Sequence, residues 1–334
     1  MFLHRARKEK KEYNLPEIYS IWENGIIVNF TNDSFLLYSY IKKELRLVKF
    51  EEKNKNIFKM YNFYHSNIKF PKKIASLSFS DDHKKIYACL AESLSIVVID
   101  YDEENREMNV SGEEIKYNAK GHFKKCIYLG NNSLASITNY FLFLWNKIEN
   151  TKKYLPICKE FNDKMYDICS INDKYLVLTF PHIDKLSFYN LETLEEEKII
   201  EKIDCMNEMD HLIKIEEFIL VNCRKGIAIV SIKTKEIVQY VQNWDSWIEK
   251  SIIKSFNNEI YIFSSESGLA FKFIFIENGL NFIEEITIMK SYFSTKKYGA
   301  TVCDEFISHK TNAIVNKDNI IMRCTGISIF IFYN

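Results

Sequence analysis

From Glu17 onward, apolar runs of about five to eight residues alternate with clusters of Asn, Asp, Lys, Glu and occasional Gly. Runs of that length bounded by turn formers predict strands and tight turns, because a helix would show a 3.6-residue apolar period. Ile74 to Phe79, Lys84 to Leu90 and Leu94 to Asp100 form one such group, with Asp81-Asp82-His83 and Glu92-Ser93 as the turns between them. Two later groups are the clearest. Each predicts a strand A (Asp210 to Ile215; Ile248 to Ser255), a strand B (Phe218 to Asn222; Glu259 to Phe263), a tight turn at Gly226 or Gly268, and then strands C and D.

The group recurs. Its most regular element is a strand end made of a bulky residue and a small polar one: Ile99-Asp100, Trp145-Asn146, Tyr189-Asn190 and Val230-Ser231. The polar members, at positions 100, 146, 190 and 231, lie 46, 44 and 41 residues apart, the spacing of four-stranded repeat units of about 40 to 45 residues. Tyr38-Ser39 extends the series upstream, and Phe273-Ile274 and Phe330-Ile331 extend it downstream, making seven units. Loop-like insertions near 51–70 and 290–305 absorb the two stretched intervals. The last unit ends after its strand C at Asn334, so its fourth strand is expected from the N-terminus, within residues 1–14. A strand donated there would close a ring and remove an exposed sheet edge. The expected architecture is therefore all-β: a seven-bladed β-propeller as a single domain over 15–334, preceded by a basic arm at 1–14 that carries the closing strand.

On these residues the chain resembles the WD40-repeat propellers across nearly its whole length, in the subset that has lost its signature residues. The Trp-Asp dipeptide of that family stands here as Trp145-Asn146 and in part as Ile99-Asp100; its Gly-His pair occurs once, as Gly121-His122. Trp145, at the end of a strand C, is expected in the core.

Composition narrows the function classes. Apolar residues are 47% and aromatics 15% of the 334, ample for a packed interior. Lys plus Arg (45) and Asp plus Glu (45) cancel and are interspersed, so no global field favours nucleic acid or an anionic membrane. Lysine pairs at 42–43, 72–73, 84–85, 124–125, 152–153 and 296–297 could track phosphates if they converged; exposed turns in a lysine-rich composition account for them more simply. The eight cysteines are scattered without a C-x-x-C pair, as reduced, buried small apolar residues would be, which fits a reducing compartment. The N-terminus lacks the apolar stretch of a secretory signal, and no window approaches the ~18 apolar residues of a membrane span. A cytoplasmic or nuclear protein without a membrane partner is expected.

No chemistry motif appears. There is no G-x-S-x-G, no phosphate loop and no zinc-protease His pair, so no catalytic residue, cofactor or metal is assigned. Asp81-Asp82-His83 reads as a solvated hairpin turn between strands A and B, and Glu195-Glu196-Glu197 as exposed strand or loop edge. What remains is a composite rim, because the B–C turns and the links from each strand D to the next strand A emerge at one end of the blades. It should carry Tyr140, Phe180 with Pro181 and His182, Arg224 and Lys225, and Trp244, Asp245 and Trp247, the aromatic and basic types enriched at interface hot spots. The expected role is a non-catalytic scaffold, monomeric itself, that binds a protein or peptide on that rim within a larger assembly. The alternative is a propeller subunit of an RNA- or tRNA-handling complex.

Overall fold

The computed structural model describes residues 11–12, 18–19, 25–31, 34–40, 42–49, 51–54, 57–59, 68–105, 107–118, 121–149, 151–158, 164–204, 212–224, 226–242, 251–256, 259–264, 269–276, 279–287, 312–315, 319–324 and 328–333. Their regular structure is strand throughout, save a short 3-10 turn at Pro181–Ile183. Among the described residues no helix is long and apolar enough to cross a membrane. The strands make six four-stranded sheets, one five-stranded sheet and a two-stranded ribbon. The chain divides into two compact units, Gly25–Ile203 and Met1–Asn24 with Asp204–Asn334.

In Gly25–Ile203 four antiparallel sheets follow one another, each hydrogen-bonded in the order A-B-C-D along the chain. The first comprises Gly25–Thr31, Ser34–Ser39, Glu44–Lys49 and Ile68–Lys69; the second Ile74–Phe79, Lys85–Leu90, Ser95–Asp102 and Glu107–Lys116. The third comprises Lys125–Gly130, Ser133–Ile137, Phe141–Asn146 and Thr151–Pro156; the fourth Asp167–Ser170, Tyr175–Phe180, Lys185–Asn190 and Glu195–Glu201. The ribbon Glu51–Asn54/Ile57–Lys59 occupies the first expected insertion.

Central strands such as Tyr175–Phe180 and Lys185–Asn190 are buried on both faces, which is why they read as continuous apolar runs and do not alternate. Each sheet hides its faces against the next. Tyr87, Ile96 and Val98 of the second sheet pack with Phe143 and Trp145 of the third. Ala135 and Leu142 of the third pack with Leu176, Leu178 and Tyr189 of the fourth. Strand D is the outer edge, and Glu195, Glu196 and Glu197 leave it charged and exposed, which discourages pairing with another chain.

The inner edges are stitched by side chains. Ser76 and Ser78 share one face of the second sheet's strand A, two residues apart, and their hydroxyls accept the Cys126 and Tyr128 N–H groups of the third sheet's strand A at 2.8 Å each. Edge amides that would lack a partner are thereby satisfied.

The second unit repeats the plan. Leu212–Ile215, Phe218–Cys223, Gly226–Ser231 and Glu236–Gln242 form one sheet; Ser251–Phe256, Glu259–Ser264, Leu269–Ile276 and Gly279–Thr287 form the next; Asn312–Val315, Asn319–Cys324 and Ser328–Tyr333 form the last. Leu220, Ile229, Ile260 and Phe273 bury the space between the first two. The last sheet takes its fourth strand from Ile18–Tyr19, antiparallel to Ile329 and Phe330. The donated strand thus lies beyond the expected window of 1–14, on a β-branched and aromatic pair that suits a strand better than the basic arm does. Within that window Lys11–Glu12 pairs, parallel, with Ile286 and Thr287 as the fifth strand of the neighbouring sheet.

The repeated polar residue at the end of strand C has a local cause. Asn146 Oδ1 accepts the Glu149 N–H, Asn190 Oδ1 accepts those of Glu192 and Thr193, and Ser231 Oγ that of Thr234, each capping its C–D turn. In the second sheet Asp102, not Asp100, does this, because that strand runs two residues longer. Asp100 lies opposite Lys85 and pairs with its ammonium at 2.9 Å. Tyr38-Ser39, read as a strand C end, ends strand B instead. Ser39 Oγ caps a turn of the same local chemistry by accepting the Lys42 N–H, so the motif marks a turn without saying which turn.

Candidate interaction surface

In every sheet of Gly25–Ile203 the B–C turn is tied to the residue leaving strand D. The Phe70, Tyr117, Ile157 and Ile203 N–H groups donate to the carbonyls of Lys43, Leu94, Tyr140 and Asp184 at 2.8 to 3.0 Å. The Ala91 N–H extends the second sheet's A–B ladder to the Lys73 carbonyl at 2.7 Å, and the Met165 N–H, leading into the fourth sheet, reaches the Asn139 carbonyl of the third sheet's B–C turn at 2.9 Å. Backbone groups thus hold these loops together at one end of the sheets, and the Lys43 ammonium adds a bond to the Pro71 carbonyl at 3.0 Å.

Tyr140 sits half-buried in the third sheet's B–C turn, and His182 is exposed in that of the fourth. Phe180 does not reach this surface. As the last residue of a strand sandwiched between neighbours it is 2% exposed, packed in the core under the Lys185 ammonium. Arg224 belongs to the other unit, where it is exposed and its guanidinium lies 3.4 Å from Asp204. Lys225, Trp244, Asp245 and Trp247 lie outside the described residues.

Tyr166, which the sequence did not single out, and Lys124, read there as half of a lysine pair on an exposed turn, complete the arrangement around His182. The Tyr166 hydroxyl is 3.1 Å from His182 Nε2, and the Lys124 ammonium sits 3.7 Å above the Tyr166 ring while donating to the Met165 carbonyl at 2.9 Å. Burial, with the like charge of Lys164 behind it, lowers the Lys124 pKa to about 8. No described carboxylate forms an ion pair with it. The adjacent Lys125 is the reverse case: its ammonium meets the fully buried Asp167 carboxylate at 2.6 Å across the gap between the third and fourth sheets. Both lysines of the 124–125 pair therefore reach the chain entering the fourth sheet, Lys125 by a buried carboxylate and Lys124 by a backbone carbonyl and an aromatic ring.

No known family profile and no curated protein matches the sequence. Solved structures do match its shape. The WD40 domain of Toxoplasma gondii coronin superposes with a TM-score of 0.61 over 97% of this chain and 88% of its own, at 10% identity. The β-propeller domain of Myceliophteria thermophila Cps50 (Swd1) gives 0.63 over 96% and 99%, at 11% identity. The chain has a WD40-like β-propeller fold. At such identities the likeness concerns the fold, and this propeller differs from the family signature where it can be compared. His122 of the Gly-His pair is exposed, so it enters no buried network. Gly121 retains a backbone reason for being glycine, with φ at +146°, which side chains rarely adopt.

Among the described residues the two ends of the propeller's Gly25–Ile203 sheets carry opposite charge. The B–C turns and D–A links hold Lys42, Lys43, Lys72, Lys73, Lys124, Lys164 and Lys202 against Glu92 and Asp184. The described A–B and C–D turns at the opposite end, apart from the charge-balanced ribbon over 51–59, hold Asp81, Asp82, Glu103, Glu104, Glu149, Asp173 and Glu192 against Lys84, Lys147 and Lys174. A cleft of about 540 Å³ opens at the basic end, between the second sheet's B–C turn and the following link, with Leu94 and Tyr117 among its lining residues.

Proposed function

We propose that this chain is one seven-bladed ring over residues 15–334 that serves as a non-catalytic scaffold, capturing a protein or peptide partner on the rim of its B–C turns and D–A links. The observation behind this reading is the Lys124, Tyr166 and His182 cluster beside the turn of Tyr140. These are large, partly exposed side chains on loops whose backbone is already fixed, so that binding orders little more. Coronin and Cps50 (Swd1) share the fold only, and the role rests on this chain's own rim.

The test is capture of partners by the immobilised full chain from its native source. Tyr140→Ala combined with His182→Ala should lose at least one captured partner while thermal unfolding stays within about 0.5 kcal/mol of the wild type, the usual range for surface changes. Trp244→Ala and Arg224→Glu probe the rest of the expected rim. Unchanged capture by all of them would refute the reading. The rim lysines also motivate the alternative of an RNA-associated subunit, for which the logarithm of affinity should fall linearly with log salt as phosphates are neutralised.

A further inference from the structure

The charge of the rim narrows the partner. Within Gly25–Ile203 the basic loops form a continuous path. The Lys72-Lys73 link is bonded to the turn at Ala91, which borders the cleft. The far side of the cleft ends at Gly121, where an added Cβ would lie 3.7 Å from Thr138 of the next B–C turn and 3.8 Å from Leu94. Beyond it stand Lys124 and Lys164, with Tyr166 and His182. We propose that this path binds an acidic protein segment, its carboxylates meeting Lys72 and Lys73 on one side and Lys124 on the other, with an apolar side chain of the segment seated in the cleft on Leu94 and Tyr117. The inference rests on the interaction reading above and adds the chemistry of the partner.

Three observations favour acidic protein over nucleic acid. The described rim loops of these sheets hold no arginine, the residue that grips phosphate bidentately, and single lysines act as point charges suited to a flexible row of carboxylates. The cleft offers Leu94 and Tyr117 as an apolar seat beside the polar Ser93, Ser95 and Asn118. The acidic opposite end and zero net charge deny the chain the long-range field that draws in a polyanion. Lys124 supplies the strongest site: a half-buried ammonium beside another lysine gains most from an incoming carboxylate, because the surrounding protein screens the pair less than water would.

The experiment is fluorescence anisotropy of the full chain with four labelled probes: a peptide alternating Asp, Glu and Leu, its counterpart with Lys in place of the acids, a Ser-Leu peptide and oligouridylate. The acidic peptide should bind, and more weakly as salt rises. K72E with K73E should weaken it about tenfold, K124E similarly, and K84E on the opposite end should leave it unchanged. E92K should tighten it severalfold, a gain that misfolding cannot imitate. Binding of the Ser-Leu or Lys peptide in preference, lost in the Tyr140→Ala, His182→Ala variant, would overturn the acidic inference and leave the scaffold reading standing. Tighter binding of oligouridylate would overturn it in favour of nucleic acid, and binding of no probe, with Tyr140→Ala, His182→Ala capture unchanged, would remove both.

Discussion

The two ends of the Gly25–Ile203 sheets are built from the same four-strand repeat and use their polar residues differently. At the A–B and C–D end, side chains serve the chain itself. Asp82, Asp102, Asn146, Asn172 and Asn190 each turn an oxygen back onto a nearby backbone N–H, and hydrogen bonding to Ser80 and Asn105 lowers the Asp82 and Asp102 pKa values respectively. Of the acids in those turns Asp82 takes part in this capping, and most of the other caps are neutral Asn. At the B–C and D–A end the backbone makes its own bonds between turn and link, with Ser39 and Thr138 as the described hydroxyl caps. The Lys43 and Lys124 ammoniums reach the Pro71 and Met165 carbonyls, and His182 meets the Tyr166 hydroxyl. The same strand plan thus closes its turns with capping side chains at one end and mainly with backbone bonds at the other.

The largest expected effect breaks the support beneath the basic rim. Asp167→Ala removes the fully buried carboxylate that meets the Lys125 ammonium between two sheets and should destabilise the chain by about 3 kcal/mol in denaturant unfolding. A loss below 1 kcal/mol, an order-of-magnitude threshold, would mean that the pair does not join the sheets. Next comes a cap on the acidic end. Asn190→Ala should cost about 1 kcal/mol of stability with no change in partner binding; a binding defect would show that the division between the ends is wrong.

A third effect is in pH dependence. Lys124 titrates near 8 when folded, against an ordinary lysine value of 10.5, so between those values the unfolded chain binds the extra proton. Its contribution therefore makes stability rise with pH through that window. Lys124→Met should flatten the rise, as chemical denaturation across pH 7.5 to 10.5 would show, the lower bound being roughly the onset of titration. An unchanged slope would place Lys124 in water.

How much of this was legible depends on what kind of signal each residue carries. Strand Ile74–Phe79 stands at its expected bounds and Lys85–Leu90 within one residue, because two-sided burial writes a continuous apolar run into the sequence. Turn chemistry was legible as turns but not as positions: Ser39 and Asn190 cap alike, and only the pairing of Ser34–Ser39 with Glu44–Lys49 shows that Ser39 ends strand B. Side-chain direction at strand ends was not legible at all. Phe180 turned inward, and Lys124 and Lys125, read as exposed turn residues, reached Tyr166 with the Met165 carbonyl and Asp167. Tyr166 went unnoticed because one tyrosine entering a strand carries no periodicity, and its meaning appears only when His182 arrives from the next turn.

Hydrogen exchange of the full chain with and without the acidic Asp, Glu and Leu peptide tests the central claim most directly. The account predicts added protection in 72–73, 91–95, 117–118, 121–124, 138–140, 164–166 and 181–184, with the turns at 81–84, 102–105 and 191–194 unchanged. Protection at those latter turns, with the basic end exchanging as before, would contradict it.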